Sequence, residues 1–94
     1  MYEDDEVLAF RDIAPQAPVH ILIIPKQHVT GMAELTDYSI LPPIYRVIQK
    51  LAVEEKIDQS GYRIVVNQGP HAGQAVDHLH FHLLGGRQLH WPPG

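Results

Sequence analysis

His78-Leu79-His80-Phe81-His82-Leu83-Leu84 is the stretch on which the reading of this chain turns. Imidazole and apolar side chains alternate along it, and a period of two is the mark of a β-strand with one buried face. On such a strand His78, His80 and His82 point one way, and Leu79, Phe81 and Leu83 point the other. The apolar set predicts a face packed on a core, so the imidazole set is left for chemistry. At about 3.3 Å per residue the outer two histidines stand about 13 Å apart. Gly85-Gly86 ends the strand over 78–84.

Working outward, Tyr62 to Asn67 reads as another strand, joined to the first by the loop Gln68-Gly69-Pro70-His71-Ala72-Gly73-Gln74. His20 to Ile24 is a β-branched apolar run stopped by Pro25, hence a buried strand. Glu6 to Arg11 is a short strand ended by the turn-rich Pro15-Gln16-Ala17-Pro18. Ile40, Ile44, Val47, Ile48, Leu51 and Ala52 recur at helical spacing and form an apolar stripe. Pro42 and Pro43 fit only the first turn, where backbone N–H groups have no intrahelical partner. The helix therefore starts near Ser39 to Leu41 and ends near Lys56, with Thr36 and Asp37 as N-cap residues ahead of it. The expected fold class is α+β: a mostly antiparallel sheet of four to five strands, covered on one face by one helix. The other face is free to carry a site.

The chain has 94 residues, 45% of them apolar and 19% charged, which suits one small globular domain. So short a domain buries little surface, and oligomerisation is an ordinary remedy. A net charge of -4 argues against nucleic acid as the main partner. A small anionic ligand stays compatible with it, because histidines and backbone N–H groups bind phosphate without a basic surface. There is no cysteine, so neither a disulfide nor a cysteine-based zinc site is possible. The acidic start Glu3-Asp4-Asp5-Glu6 is the opposite of a signal peptide, and no apolar run approaches a membrane span. The expectation is a cytoplasmic protein, also nuclear if the source is eukaryotic.

Seven histidines demand a chemical reading. As half-exposed polar residues on a strand they would be hard to explain by packing. As metal ligands an i, i+2 pair can chelate zinc, but a third ligand would have to come from a neighbouring strand, and His20 is the candidate. As catalysts, a neutral imidazole is a good nucleophile near pH 7 and a neighbouring imidazolium can protonate a leaving group. Read alone, Asp12 is more readily a turn aspartate ahead of Pro15, and His20 is as readily a core histidine. His28 reads as fixing a loop, His71 as exposed, and His90 has no role.

The 78–84 stretch also resembles the histidine triad pattern of His-apolar-His-apolar-His-apolar-apolar. The likeness extends to Phe10-Arg11-Asp12-Ile13-Ala14-Pro15-Gln16-Ala17-Pro18-Val19-His20 and to Ile24-Pro25-Lys26-Gln27-His28. It continues in Val66-Asn67, Gly73-Gln74 and the tail from Gly85 to Gly94. Nearly the whole chain is similar to the histidine triad nucleotide-binding proteins, the Hint branch, and the Trp91-Pro92-Pro93-Gly94 ending points to that branch. The resemblance implies a homodimer whose sheets join, and metal-independent hydrolysis of the P–N bond of purine nucleoside phosphoramidates, the AMP conjugates of amines. No cofactor is implied. By the same likeness His80 is the nucleophile, His82 contacts the phosphate and leaving-group region, and His78 and His20 orient the nucleophile. Asn67, Gly73 and Gln74, with Ala75 and Val76 following, surround the phosphate. Asp12 accepts from the ribose hydroxyls, Phe10 and Ile13 line the base pocket, and Trp91 reaches the partner subunit.

Two departures are visible. Ala75 stands where many relatives have a serine whose hydroxyl can bond the phosphate, a loss of about 1.5–3 kcal/mol at most. Relatives usually have a further N-terminal helix and strand, so this chain is expected to be a single histidine triad domain over 1–94 without that extension. The rival class is a non-catalytic dimeric nucleotide-binding or scaffold protein that acts through protein partners.

Overall fold

The computed structural model describes residues 1–94. Its five strands are β1 (Tyr2–Glu3), β2 (Val7–Arg11), β3 (Val19–Pro25), β4 (Tyr62–Val65) and β5 (Phe81–Gly85), and its one long helix is α1 (Leu41–Glu54). They form a single antiparallel sheet in the order β1-β2-β3-β5-β4. The central register pairs Ile21 with Leu83 and Ile23 with Phe81.

One face of the sheet is buried. Val7, Ala9, Ile21, Ile23, Phe81 and Leu83 meet Ile44, Val47, Ile48, Leu51 and Ala52 of α1 in one apolar cluster. Each large side chain there contributes about 1.5–3 kcal/mol by leaving water. The predicted stripe and both prolines fall as the sequence demanded, with Pro42 and Pro43 in the first turn of α1. A short 3-10 turn, Tyr38–Ile40, leads into it, and Asp37 caps that turn by accepting from the Ser39 N–H. The helix ends at Glu54, two residues short of the expected Lys56; Lys56 itself has a left-handed φ of 61°, and the Ile57 N–H bonds back to the Ala52 carbonyl. Gly85 is required where β5 passes under Ile57, because a Cβ there would lie 2.8 Å from Ile57 Cδ1.

The other face is open. Alternation places Leu8 and Phe10 of β2, His20, Leu22 and Ile24 of β3, and His82 and Leu84 of β5 on it. Pairing then sets Leu22 between Phe10 and His82 in one row across the sheet. Three boundaries differ from the sequence expectation. The two-residue β1 is too short to announce itself by alternation. β4 stops at Val65 rather than Asn67. β5 begins at Phe81, so His78 and His80 precede the ladder. Pro25 closes β3 and has no N–H to extend the pairing. The Leu79 N–H goes instead to the Val29 carbonyl, at 2.6 Å. The inward–outward alternation nevertheless runs through 78–83, with Leu79, Phe81 and Leu83 buried and the three histidines half-buried.

Candidate active site

Leaving the ladder at Phe81 gives the preceding backbone a second use. The His78 carbonyl accepts from the His80 ring through Nδ1, at 2.7 Å. A carbonyl can only accept, so neutral His80 carries its proton on Nδ1 and presents a bare lone pair at Nε2. His78 Nε2 lies 2.9 Å from the Pro25 carbonyl, which likewise assigns that proton to Nε2 and leaves Nδ1 as an acceptor. His28 Nδ1 stands 3.2 Å from it and is the donor, with the two rings edge to face.

On the other side a backbone N–H sets the pattern. Gln16 N–H donates to His20 Nδ1 at 3.0 Å, so His20 is protonated on Nε2. His20 Nε2 donates to His82 Nδ1 at 2.9 Å. His82 therefore carries its proton on Nε2. The His80 and His82 rings lie 5.1 Å apart, edge to face. Adjacent rings thus present one free lone pair, on His80, and one free N–H, on His82. Burial holds the His82 ring below the ordinary histidine value, neighbouring His80 and His20 push the same way, and Asp12 opposes. The ring stays neutral at pH 7, as an acceptor at Nδ1 requires.

His20 is buried although it faces the open side of the sheet, because the turn after Asp12 folds over it. Asp12 accepts from the Ala14 N–H at 2.9 Å in an Asx turn, and its other oxygen lies 3.5 Å from His20 Nε2. Beside it opens a cleft of about 350 Å³, with Phe10, Ile13, Leu22, Ile24 and Val76 as its apolar wall and Asp12, His78 and His80 at its polar end. A larger cleft of about 420 Å³ between Ser60–Arg63 and Gly86–Leu89 contains none of these histidines.

The structure therefore brings together His20, His78, His80, His82, Asp12, Phe10, Ile13 and Val76. Ile13 and Val76 are exposed on the cleft rim. Asn67 is half-buried just past β4, while Gly73 and Ala75 are exposed in the loop that follows. Gln74 faces into that loop: it accepts from the Gly69 N–H and donates to the Thr30 and Val76 carbonyls. Trp91 lies apart, 80% exposed in the C-terminal tail. Sequence reasoning missed His28, Leu22 and Ile24, and the backbone groups of Gln16 and Pro25. Leu22 and Ile24 were detectable, since alternation in β3 puts them on the His20 face. His28 carried no local signal, because its partner is fifty residues away.

Asp12, His20 and His82 are the one group of three potential metal ligands, with their ligand atoms within 4.8 Å of one another. They do not fit a resident metal. A histidine that ligates through one nitrogen donates from the other to an acceptor. His20 Nδ1 is itself the acceptor of a backbone N–H, so its Nε2 holds a proton and has no lone pair to give.

The HIT domain family profile matches residues 1–89. A 14 kDa zinc-binding protein of Brassica juncea is 52% identical over 98 residues, covering 100% of this chain and 86% of its own. Adenylylsulfatase HINT1 of Arabidopsis thaliana is 50% identical over 98 residues, covering 100% of this chain and 66% of its own. The crystal structure of a HIT family hydrolase from Legionella pneumophila superposes with a TM-score of 0.97 at 49% identity, over 100% of this chain and 86% of that one. With its histidines on the open face of this sheet and this likeness along its full length, the chain belongs to the HIT domain family.

Proposed function

We propose that this protein hydrolyses purine nucleoside 5'-phosphoramidates, such as AMP joined to an amine, through a nucleotidyl group carried on His80. The observation that carries the reading is the pair of free ring nitrogens side by side, a lone pair on His80 Nε2 and an N–H on His82 Nε2. The family membership and the adenylyl substrate in the Arabidopsis relative's name support it.

In this reading His80 Nε2 attacks the α-phosphorus and the P–N bond breaks. The leaving nitrogen takes a proton from solvent and departs as amine, while the neutral His82 keeps its Nε2–H and donates it as a hydrogen bond to the phosphate oxygens. Positive charge spreads to His80 Nδ1, where the His78 carbonyl stabilises it. Water then attacks phosphorus and gives its proton to solvent, and the His80 N–P bond breaks to release AMP and the neutral His80 ring. Splitting one displacement into two is the usual gain of covalent catalysis, and the work left to the protein is positioning. The nucleoside occupies the apolar cleft, its base against Phe10 and Ile13. Asp12 turns from His20 to the ribose hydroxyls, and the 67–76 loop with Asn67, Gly73, Gln74 and Ala75 borders the phosphate. The protein acts as a homodimer in the cytoplasm. The outer edge of β4 has no strand beside it, and an unpaired edge is the natural place to continue a sheet. Trp91 is then free to reach the second copy. No metal takes part, for the reason His20 gives.

The test is incubation with an adenosine phosphoramidate in EDTA. Amine release that survives chelation and disappears in His80→Ala, with a nucleotidyl adduct mapped to His80, is expected. An adduct on another residue refutes the assignment. Nucleotide binding without turnover supports the non-catalytic module instead.

A further inference from the structure

We infer that Arg87 is a positioning residue for the histidine pair, acting through the backbone of Gln16. Arg87 sits just past β5 and outside the cleft. Its Nε and Nη2 both donate to the Gln16 carbonyl, at 3.1 and 2.9 Å, and its Nη1 donates to the Gln88 carbonyl at 3.0 Å. Gln16 is the residue whose N–H donates to His20 Nδ1. The links run in one unbroken order: guanidinium to Gln16 carbonyl, Gln16 N–H to His20, His20 Nε2–H to His82 Nδ1.

The anchor matters because little else holds the turn. Residues 13–18 make no backbone-to-backbone hydrogen bond. Pro15 and Pro18 have no N–H to offer. The turn is tied at its start by the Asp12 carboxylate on the Ala14 N–H, and internally by the Gln16 side chain on the Ala14 carbonyl. Beyond Ala14 Ala17 is buried, and the hydrogen bonds to the rest of the chain, other than that to His20 itself, come from Arg87. The tail runs close beneath: a Cβ at Gly86 would stand 3.0 Å from Pro18 Cβ. A fork of two charged N–H groups on one carbonyl fixes direction as well as distance, which a lysine cannot reproduce. With Gln16 fixed, His20 keeps its proton on Nε2 and His82 keeps its own on Nε2. With Gln16 loose, both nitrogens of His20 compete for the proton, and the donor on His82 is no longer assured.

Part of the test, the activity readout, rests on the phosphoramidate reading; the spectroscopic part does not. Imidazole ¹⁵N signals report which ring nitrogen bears the proton. In the full wild-type chain at neutral pH, His20 and His82 are expected as pure Nε2–H forms. Arg87→Ala shifts both toward a mixture, changing the tautomer ratio by about tenfold, the population change that one hydrogen bond supports. His78 and His80, whose protons are set by the Pro25 and His78 carbonyls, keep their signals. Arg87→Lys retains the charge, loses the fork and gives an intermediate displacement; it also supplies the readout if Arg87→Ala does not fold. Gln88→Ala, in the same tail, leaves all four signals in place. On an adenosine phosphoramidate, kcat falls by about tenfold with KM nearly constant, the signature of lost transition-state alignment. Unshifted His20 and His82 signals in the folded variants overturn the proposal. So does an equal shift of His78 and His80, which marks general loosening. If the wild type turns over no phosphoramidate, the functional reading fails while the tautomer readout still judges Arg87.

Discussion

Replacing Gln74 with alanine separates two roles that one residue can hold beside a phosphate. Its side chain makes three hydrogen bonds: Oε1 accepts from Gly69 N–H at 2.9 Å, and Nε2 donates to the Thr30 carbonyl at 2.9 Å and the Val76 carbonyl at 3.1 Å. These close the 67–76 loop on itself and pin it to the segment after β3. Each net bond is worth about 0.5–1.5 kcal/mol. The side chain is half-buried, so water recovers part of the loss in the variant. We expect Gln74→Ala to cost about 2–3 kcal/mol, a fall in Tm of about 10–20 °C for a domain of this size. Urea unfolding at neutral pH measures it, with KM for an adenosine phosphoramidate determined alongside. KM rises because Val76 on the cleft rim loses its tie. Gln74→Glu is expected to be at least as unstable, since a carboxylate oxygen then faces two carbonyls. Stability within about 0.5 kcal/mol of wild type, the range of an ordinary surface change, refutes the bracing argument. If KM still rises under that outcome, Gln74 is a ligand of the phosphate and nothing more.

Three further outcomes follow from the same geometry. Lys56→Gly relieves a left-handed backbone position at the end of α1 and raises stability by about 1 kcal/mol, read from the urea midpoint. Gly85→Ala drives a methyl to 2.8 Å from Ile57 Cδ1 and 3.2 Å from its Cβ, and the branched side chain cannot swing clear; a loss of about 1–3 kcal/mol is expected on the same assay. The His82 ring titrates below the ordinary histidine value of 6.5, so the unfolded chain takes its proton first as pH falls. The stability His82 contributes is complete above pH 6.5 and declines as pH drops through that value toward its folded one. Comparing urea midpoints at pH 7.5, 6.5 and 5.5, His82→Gln is expected to have the shallower decline, and parallel profiles refute the assignment.

Much of this was legible locally. The period of two over 78–84 gave both the buried face and the chemical face, since Leu79, Phe81 and Leu83 are the residues that meet the core. The stripe from Ile40 to Ala52 gave the helix, and Pro42-Pro43 gave its start. Strand ends were less visible because pairing depends on the neighbour. Nothing within 78–84 announces that Pro25, more than fifty residues earlier, closes the ladder at Phe81. The pairing of His28 with His78 and the burial of His20 under the 12–16 turn are likewise products of chain return. The family resemblance sets Gln74 beside the phosphate, and only the folded loop reveals how fully its amide is engaged within the protein.

Composition supplies imidazoles, but the chemistry they support depends on where each proton sits. Here three backbone groups decide that for five rings. The Gln16 N–H fixes His20 and, through it, His82. The His78 carbonyl fixes His80, and the Pro25 carbonyl fixes His78 and, through it, His28. A metal centre needs the opposite at His20, a carbonyl or carboxylate in place of Gln16, so that Nε2 could be bare. Had the 12–16 turn presented a carbonyl there, Asp12, His20 and His82 would read as a zinc site. The one inverted dipole makes His20 a donor and His82 a donor after it. It leaves His80, held from a different carbonyl, as the ring with a lone pair free beside them. Substituting any one imidazole therefore tests less than moving Gln16. Inserting one glycine between Pro15 and Gln16 keeps every histidine and Arg87. It is expected to displace the N–H from His20 and to lower turnover without lowering nucleotide affinity, and full turnover in that variant would show that the proton order along the relay is not what the reaction uses.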